Sequence, residues 1–488
     1  MKIVDRESDS RSGKSVTFNP SNLPTSNKMR IAVIGGTASG PAAAAEAVRA
    51  NPDAEVVLYE QGPHISVGAC EIPYFVADQI PEASTLEILT PEQFEKTRGA
   101  AVRVRHRVEA IEPEKGRLVV ESLVHGSRHE EPFDRFILAT GARARRLGVE
   151  GEDADGVFTV RGLEDAIAVK DWLESQPVRH VVIVGGGFVG VEMAEAMRRR
   201  GLRATILDPS GRVLRGVLSE GMAGPMMEAI QKAGVAVRAE RVSRIETDGR
   251  GRVASVRTDK GEIIGCQAVV VGIGIEPRTE LVKSARIKIG TTGAISVDDQ
   301  MRTSQRHVWA CGDGIEVPRV VDGKKILWPL SPIARRTSRV AARNAAGAKP
   351  AARFTGVTPS VAVRAFGVEA AVVGLTLEDA QSSGFDAEAI QIKHWSRVST
   401  MPDAKRLHVS YVVERGSGRL LGGSLVGEEG AALRANVLVP WIRYGVTVRE
   451  IAEEMDLIYN PPLAPAMDPL RVAASTSIRA INKLKKGA

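Results

Sequence analysis

Two strand–glycine loop–helix–strand units, their loops about 150 residues apart, restrict this chain more than any other feature. The first runs Arg30-Ile31-Ala32-Val33-Ile34, then Gly35-Gly36-Thr37-Ala38-Ser39-Gly40, an alanine-rich helix to about Ala50, and a strand Glu55–Tyr59 closed by Glu60. The second runs His180–Val184, then Gly185-Gly186-Gly187-Phe188-Val189-Gly190, a helix through Arg200, and Ala204–Leu207 closed by Asp208. Short apolar runs of this kind predict buried parallel strands. The glycines let the backbone turn tightly and approach a pyrophosphate, which rests on the N–H groups and positive end of the following helix. An acid ending the second strand is placed to accept from ribose hydroxyls. The first loop has Thr37 at its middle glycine position, whereas the second has the full G-x-G-x-x-G spacing. Two units in one α/β chain predict two bound dinucleotides with electrons passing between them. At the second, Asp208 favours a free 2′-hydroxyl and hence NADH, while Arg212 is placed to receive a 2′-phosphate, so NADPH stays open.

The second unit reads as an insertion into the first. Phe136–Ala142 and Val269–Gly274 are strand-like runs that end in glycine where a chain would cross between domains, and Val308-Trp309-Ala310-Cys311-Gly312-Asp313 lies beyond both. The expected division is a disordered leader over 1–28, a first nucleotide domain over 29–148 and 275–350, and an inserted nucleotide domain over 149–274. Alternating runs such as Leu407–Val413 and a closing helical stretch predict a third, α+β domain over 351–488.

Charge and cysteine content narrow the setting. The chain has 66 basic and 59 acidic residues, a formal charge of +7, but the basic residues are scattered apart from Lys483-Leu484-Lys485-Lys486, so anionic dinucleotides account for the surplus and nucleic acid is not expected. No apolar run reaches membrane-spanning length and no signal-type segment opens the chain, so a cytoplasmic protein is expected, not a membrane one. The three cysteines, Cys70, Cys266 and Cys311, form no closely spaced pair. Zinc sites, redox dithiols and a secreted disulfide framework are therefore not expected. Cys70 stands alone in Ser66-Val67-Gly68-Ala69-Cys70-Glu71-Ile72-Pro73-Tyr74, shortly after the first unit, and suggests a single-sulfur redox centre beside a flavin.

Taken in order, the Gly35–Gly40 loop, Ser66–Tyr74, Ala139-Thr140-Gly141, Gly185–Gly190, Gly312-Asp313, Tyr459-Asn460-Pro461-Pro462 and Asp468-Pro469 resemble the FAD-dependent pyridine nucleotide–disulfide oxidoreductases. The match is to their single-cysteine branch, which contains coenzyme A disulfide reductase, NADH oxidase and NADH peroxidase, and it runs over the chain after the leader. The resemblance implies FAD at Gly35, Gly36, Thr37, Ala38, Gly40, Glu60, Ala139, Thr140, Gly141, Gly312 and Asp313, with Asp313 on the ribityl chain. NADH or NADPH would lie at Gly185, Gly187, Phe188, Val189, Gly190, Asp208 and Gly274, with the Phe188 ring covering the flavin until nicotinamide enters. Cys70 would be the redox cysteine, expected at the start of a helix whose dipole lowers its pKa. Tyr459 would reach the cysteine of the partner in a homodimer and protonate a departing thiolate. Arg49 and Ser66 would contact the substrate, with Arg49 at the phosphate-bearing end of coenzyme A.

Several residues depart from the family pattern. Peroxidase and oxidase members carry a histidine at the position of Ala38, and its absence favours reduction of a small-molecule disulfide, with coenzyme A disulfide as the expected substrate. Persulfide or polysulfide reduction and NADH oxidase or peroxidase activity are the alternatives within the family. A flavin electron-transfer protein serving a protein partner is the alternative of another class. Glu71 replaces the usual glycine after the cysteine and would raise the thiol pKa unless it points away. Phe366-Gly367-Val368 lies where a second tyrosine often stands.

Overall fold

The computed structural model describes residues 28–487, with side chains to Lys483. The expected leader, except Lys28, and the side chains of Leu484, Lys485 and Lys486 lie outside the described residues. The run Arg30–Ile34 forms strand β1, helix α1 (Ser39–Ala50) crosses over the sheet, and β2 (Glu55–Tyr59) returns parallel to β1 with Ile31 opposite Val56 and Ile34 opposite Tyr59. A single 3₁₀ turn at Ala69–Glu71 then leads into the short helix α2 (Ile72–Val76). Next come β3 (Ala101–Arg103), β4 (Arg135–Leu138), β5 (Val157–Thr159), β6 (His180–Val184), helix α3 (Phe188–Arg199), β7 (Arg203–Leu207), β8 (Ala236–Arg238), β9 (Ala268–Val271), β10 (Val308–Ala310) and helix α4 (Ser331–Ala345).

These strands make two parallel five-stranded sheets, ordered β10-β4-β1-β2-β3 and β8-β7-β6-β9-β5. In each, the central strands are apolar and buried after their first residue, as in parallel sheets covered on both faces. The glycine loop of the first sheet leaves at β1, beside β4, and that of the second leaves at β6, beside β9. Both loops therefore sit at the carboxyl ends of strands where the winding reverses, the place at which open α/β sheets bind ligands. Between the sheets, Ala142–Ala144 and Ile275–Pro277 pair antiparallel, so the outgoing and returning crossings lie side by side.

Beyond α4, strands β11 (Ser360–Ala365), β12 (Val368–Gly374), β13 (Ala387–Trp395), β14 (Arg406–Glu414) and β15 (Leu420–Gly427) form an antiparallel sheet ordered β11-β12-β15-β14-β13. Helices α5 (Ala431–Tyr444) and α6 (Pro469–Gly487) pack against it. The β11–β12 turn is made by Phe366 and Gly367, with φ of 52° and 79°, and the Phe366 N–H donates to Glu195 Oε1 on α3 at 3.1 Å. One core cluster joins Ile72, Phe75 and Val76 of the cysteine segment to Val191 and Ala194 of α3 and to Ala365 and Val368 of this turn. The segment that carries Cys70 is thereby clamped between the second and third sheets. Among the described residues no helix is long and apolar enough to cross a membrane.

Candidate active site

A cavity of about 1560 Å³ opens at the end of the first sheet, lined by the loop residues Gly35, Thr37 and Ala38, by Glu60, by Ala139, Thr140 and Gly141, and by Asp313. Ser66, Cys70, Glu71 and Arg49 line the same space. Its floor is shaped by backbone packing. Gly35 has φ +109°, and a Cβ there would lie 2.3 Å from the Ala139 carbonyl oxygen, while a Cβ on Gly40 would lie 1.7 Å from that of Gly35. Only glycine lets β1, the first turn of α1 and the 139–141 segment meet so closely. No side chain caps the N-terminus of α1, so its first N–H groups are left for a ligand. Glu60 braces the loop, accepting from the Gly36 N–H at 2.5 Å and the Gly62 N–H at 2.8 Å. The cavity exceeds the roughly 300–1,000 Å³ typical of pockets for small ligands. The glycine cradle, the uncapped helix and the two acids together fit FAD.

Asp313 reaches the cavity from a 3₁₀ turn after β10, held there as the Gly312 N–H donates to Thr337 Oγ1 on α4 at 3.1 Å. Its Oδ2 accepts from Arg161 Nη2 at 2.5 Å. Arg161 comes from the loop after β5, and nothing in the linear sequence marked it.

Cys70 is the exposed cysteine, whereas Cys266 and Cys311 are buried and their thiols pushed up to about 12. Cys70 sits on the 3₁₀ turn ahead of α2, not on the first turn of a long helix. Its thiol is raised, not lowered as the sequence predicted, and the largest cause is partial desolvation by the protein packed beneath it. Glu71, Glu192 and Asp313 add in the same direction, and Arg161 is the cation that opposes them. A helix of five residues has too little aligned dipole to overcome three carboxylates. Glu71 folds back over Gly68, where a Cβ would lie 2.6 Å from its Oε2, so its charge stays near the thiol.

Glu192 is the second residue that sequence reading missed. It stands one helical turn after Phe188 on α3, facing α2, and shares a small cleft with Tyr74 and Glu195. It has no hydrogen bond or ion pair among the described residues. Burial, with a further push from Glu195, raises its carboxyl to about 7.

At the second sheet the loop follows the same geometry. Gly185 has φ +103° with a Cβ position 2.5 Å from the Gly272 carbonyl oxygen, and Gly187 precedes α3 with open space above it. Asp208 accepts from the Gly186 N–H at 2.9 Å and from Ser210 N–H and Oγ at 2.9 and 2.5 Å. Burial works against its charge, but these donors outweigh burial and hold the carboxyl below its usual range, with help from Arg215. Phe188, Val189 and Gly190 open α3, and Gly274, with φ +101°, lies at the returning crossing. None of these second-loop residues lines the first cavity.

Tyr459 is not beside Cys70 within the chain. It lies between α5 and α6, 55% exposed, in a stretch whose Ile458, Leu463 and Met467 are exposed as well.

Two dinucleotide clefts, one carrying an exposed lone thiol, define a two-cofactor oxidoreductase. The profile described as "Pyridine nucleotide-disulphide oxidoreductase" matches residues 29–328, and that of the dimerisation domain of the same family matches residues 359–471. The chain is 33% identical over 447 residues to the NAD(P)H coenzyme A polysulfide/persulfide reductase of Pyrococcus horikoshii, covering 92% of this chain and 98% of that one. It is 26% identical over 447 residues to the coenzyme A disulfide reductase of Staphylococcus aureus, covering 90% and 97%. The solved NAD-dependent persulfide reductase from A. fulgidus superposes with a TM-score of 0.89 at 32% identity, covering 93% of this chain and 84% of that one. The chain belongs to the pyridine nucleotide-disulphide oxidoreductases, a family of FAD- and NAD(P)H-dependent flavoprotein enzymes.

Proposed function

We propose that this enzyme reduces a sulfur–sulfur bond at Cys70, with coenzyme A disulfide as its substrate, and that it works as a homodimer. The observation that carries the reading is the position of Cys70, the exposed thiol of the three, on the wall of the cavity that fits FAD. Gly35, Gly36, Gly40, Glu60 and Asp313 would hold FAD, and Gly185–Gly190 with Asp208 would hold NAD(P)H. FAD, when bound, supplies two-electron transfer between the nicotinamide and sulfur.

Cys70 attacks one sulfur of the substrate as the thiolate, a mixed disulfide forms, and the other sulfur leaves as a thiolate. The raised thiol needs the proton removed first, and Arg161 is the cation that favours that loss. Tyr459, exposed in a stretch with the exposed apolar side chains of Ile458, Leu463 and Met467, would use its hydroxyl to protonate the leaving thiolate of a second copy docked there. The family's dimerisation domain over 359–471 supports that arrangement. A second reading, reduction of a coenzyme A persulfide or polysulfide, is favoured by the name of the relative at 33% identity.

The test is NADH and NADPH consumption by wild type and Cys70→Ser over coenzyme A disulfide, polysulfide, glutathione disulfide, peroxide and dioxygen. Wild type should turn over coenzyme A-linked sulfur fastest. Cys70→Ser should keep FAD but lose sulfur reduction. Undiminished turnover of every sulfur substrate by the variant refutes the mechanism.

A further inference from the structure

The segment that carries Cys70 does not end with α2. Ala77 stops that helix, and Asp78 turns the chain with φ of 58°, in the left-handed region. Aspartate is one of the few residues besides glycine that visits this region readily, and unlike glycine it brings a carboxylate. That carboxylate meets two cations, Lys170 Nζ at 2.9 Å from Oδ1 and Arg200 Nη1 at 2.8 Å from Oδ2. The Asp78 side chain is 53% exposed, whereas those of Lys170 and Arg200 are nearly buried, 14% and 13% exposed. Both cations also hold the backbone on either side of the turn. Arg200 Nη1 donates to the Val76 carbonyl at 2.9 Å and Lys170 Nζ to that of Pro81 at 3.3 Å. Lys170 Nζ further stands 4.4 Å from the centre of the Phe75 ring. Cations are taken out of water only where such partners replace it.

Lys170 and Arg200 come from the second nucleotide unit, each on a helix that reaches a cofactor cleft. Arg200 closes α3, whose first residue is Phe188 of the second glycine loop, about 18 Å away along the axis. Lys170 lies on the helix Leu163–Ser175, whose Glu164 and Asp165 line the cavity that holds Cys70 on its wall. Glu174, near the end of that helix, pairs with Arg200 Nη2 at 3.1 Å, so the two helices are tied to each other as well as to Asp78. With five residues and no side-chain cap, α2 is too short to be stable by its own hydrogen bonds. Ile72, Phe75 and Val76 pack it against Val169 and Val191 of the two helices, but apolar contact is non-directional and leaves sliding unopposed. The ion pairs at Asp78 supply the direction that this packing lacks.

We propose that Asp78, Lys170 and Arg200 form an ion-paired clasp that positions the Cys70 thiol, by locking the cysteine segment to two helices of the second nucleotide unit. None of the three lines the cavity, so they are positioning residues that act through Cys70. The inference rests on the reading of Cys70 as the reacting sulfur and adds what holds that sulfur in place. With the clasp open the fold remains, because the apolar cluster under α2 is untouched. The thiol is then no longer kept at one distance from its reaction partners.

The experiment compares FAD-loaded wild type with Asp78→Asn, which keeps the shape and tolerates the positive φ, and with Asp78→Gly, which suits that φ better than aspartate does. FAD content and melting temperature establish that each variant is folded. In both, stopped-flow bleaching of flavin absorbance by NADH should be unchanged. The kcat for coenzyme A disulfide should fall about ten- to a hundredfold with KM little changed, the scale set by a small misplacement of reacting groups. Because the two partners act as one unit, Asp78→Asn/Lys170→Gln should lose no more than Asp78→Asn alone. Iodoacetamide reads the thiol without turnover. Desolvation is the largest cause of the raised thiol, and Glu71, Glu192, Asp313 and Arg161 are left in place, so a released segment should admit water and move the alkylation midpoint to lower pH. Wild-type kcat in both Asp78 variants, an equal slowing of flavin bleaching, additive losses in the double variant, or an unmoved alkylation midpoint overturns the clasp. If alkylation shifts as expected but wild type reduces no disulfide, the clasp stands and the substrate reading fails.

Discussion

Burial raises the Glu192 carboxyl in the folded protein to about 7 from its ordinary 4.5, and its replacement by glutamine gives a prediction with a definite sign. Because the folded value is the higher, the native protein holds this proton more tightly than the unfolded chain does. Its contribution to stability is full below about pH 4.5 and is lost as pH rises to about 7. The gap between 4.5 and about 7, at about 1.36 kcal/mol per unit, sets the loss at no more than about 3.4 kcal/mol, almost fully developed by pH 8. Glu192→Gln keeps the shape and cannot ionise. It should leave the melting temperature near wild type at pH 4.5 and raise it by several degrees at pH 8. Carboxylate repulsion also falls on the thiol, so iodoacetamide should alkylate Cys70 at lower pH in the variant than in wild type. The measurements are thermal melts at matched scan rate from pH 4.5 to 8 and alkylation rates across the same range. A difference in melting temperature that does not change with pH, or that has the opposite sign at pH 8, would refute the reasoning.

Two further outcomes follow from named side chains. Asp208, already turned onto its own loop by Gly186 and Ser210, should repel a 2′-phosphate, so the KM should be lower for NADH, with Asp208→Ala narrowing the gap. Steady-state kinetics with both nicotinamides would show instead that Arg212 and Arg215 govern the choice if wild type prefers NADPH by tenfold or more. Tyr459→Phe should slow disulfide turnover roughly ten- to a thousandfold, with no change in the stopped-flow bleaching of flavin absorbance by NADH. A variant with wild-type turnover would refute the role of Tyr459 as the acid.

What could be read from the chain alone was whatever depends on neighbours in sequence. The strands at Arg30–Ile34, Glu55–Tyr59 and His180–Val184 appear where their apolar runs predicted them, because a buried parallel strand needs only such a run and a turn signal. The glycine loops were legible for the same reason, since positive φ and missing Cβ atoms are properties of single residues. Thr37 in place of a glycine did not alter the first loop, whose closest approaches fall on Gly35 and Gly40.

Tertiary structure alone decided the electrostatics. The sign of the Cys70 shift depends on Glu71 beside it, but also on Glu192, Asp313 and Arg161, which arrive from three other parts of the chain. Arg161 and Asp313 are 152 positions apart and meet only because the second sheet leaves and re-enters the first through paired crossings. The i, i+4, i+8 spacing of Arg335, Arg339 and Arg343 is visible in the sequence, yet only the packing of α1 against α4 sets Arg49 and the single carboxylate of Glu46 among them. Local patterns encode where the backbone turns and what it buries. Coulomb energies depend on distances in space and on desolvation, and neither quantity is defined until the chain has folded.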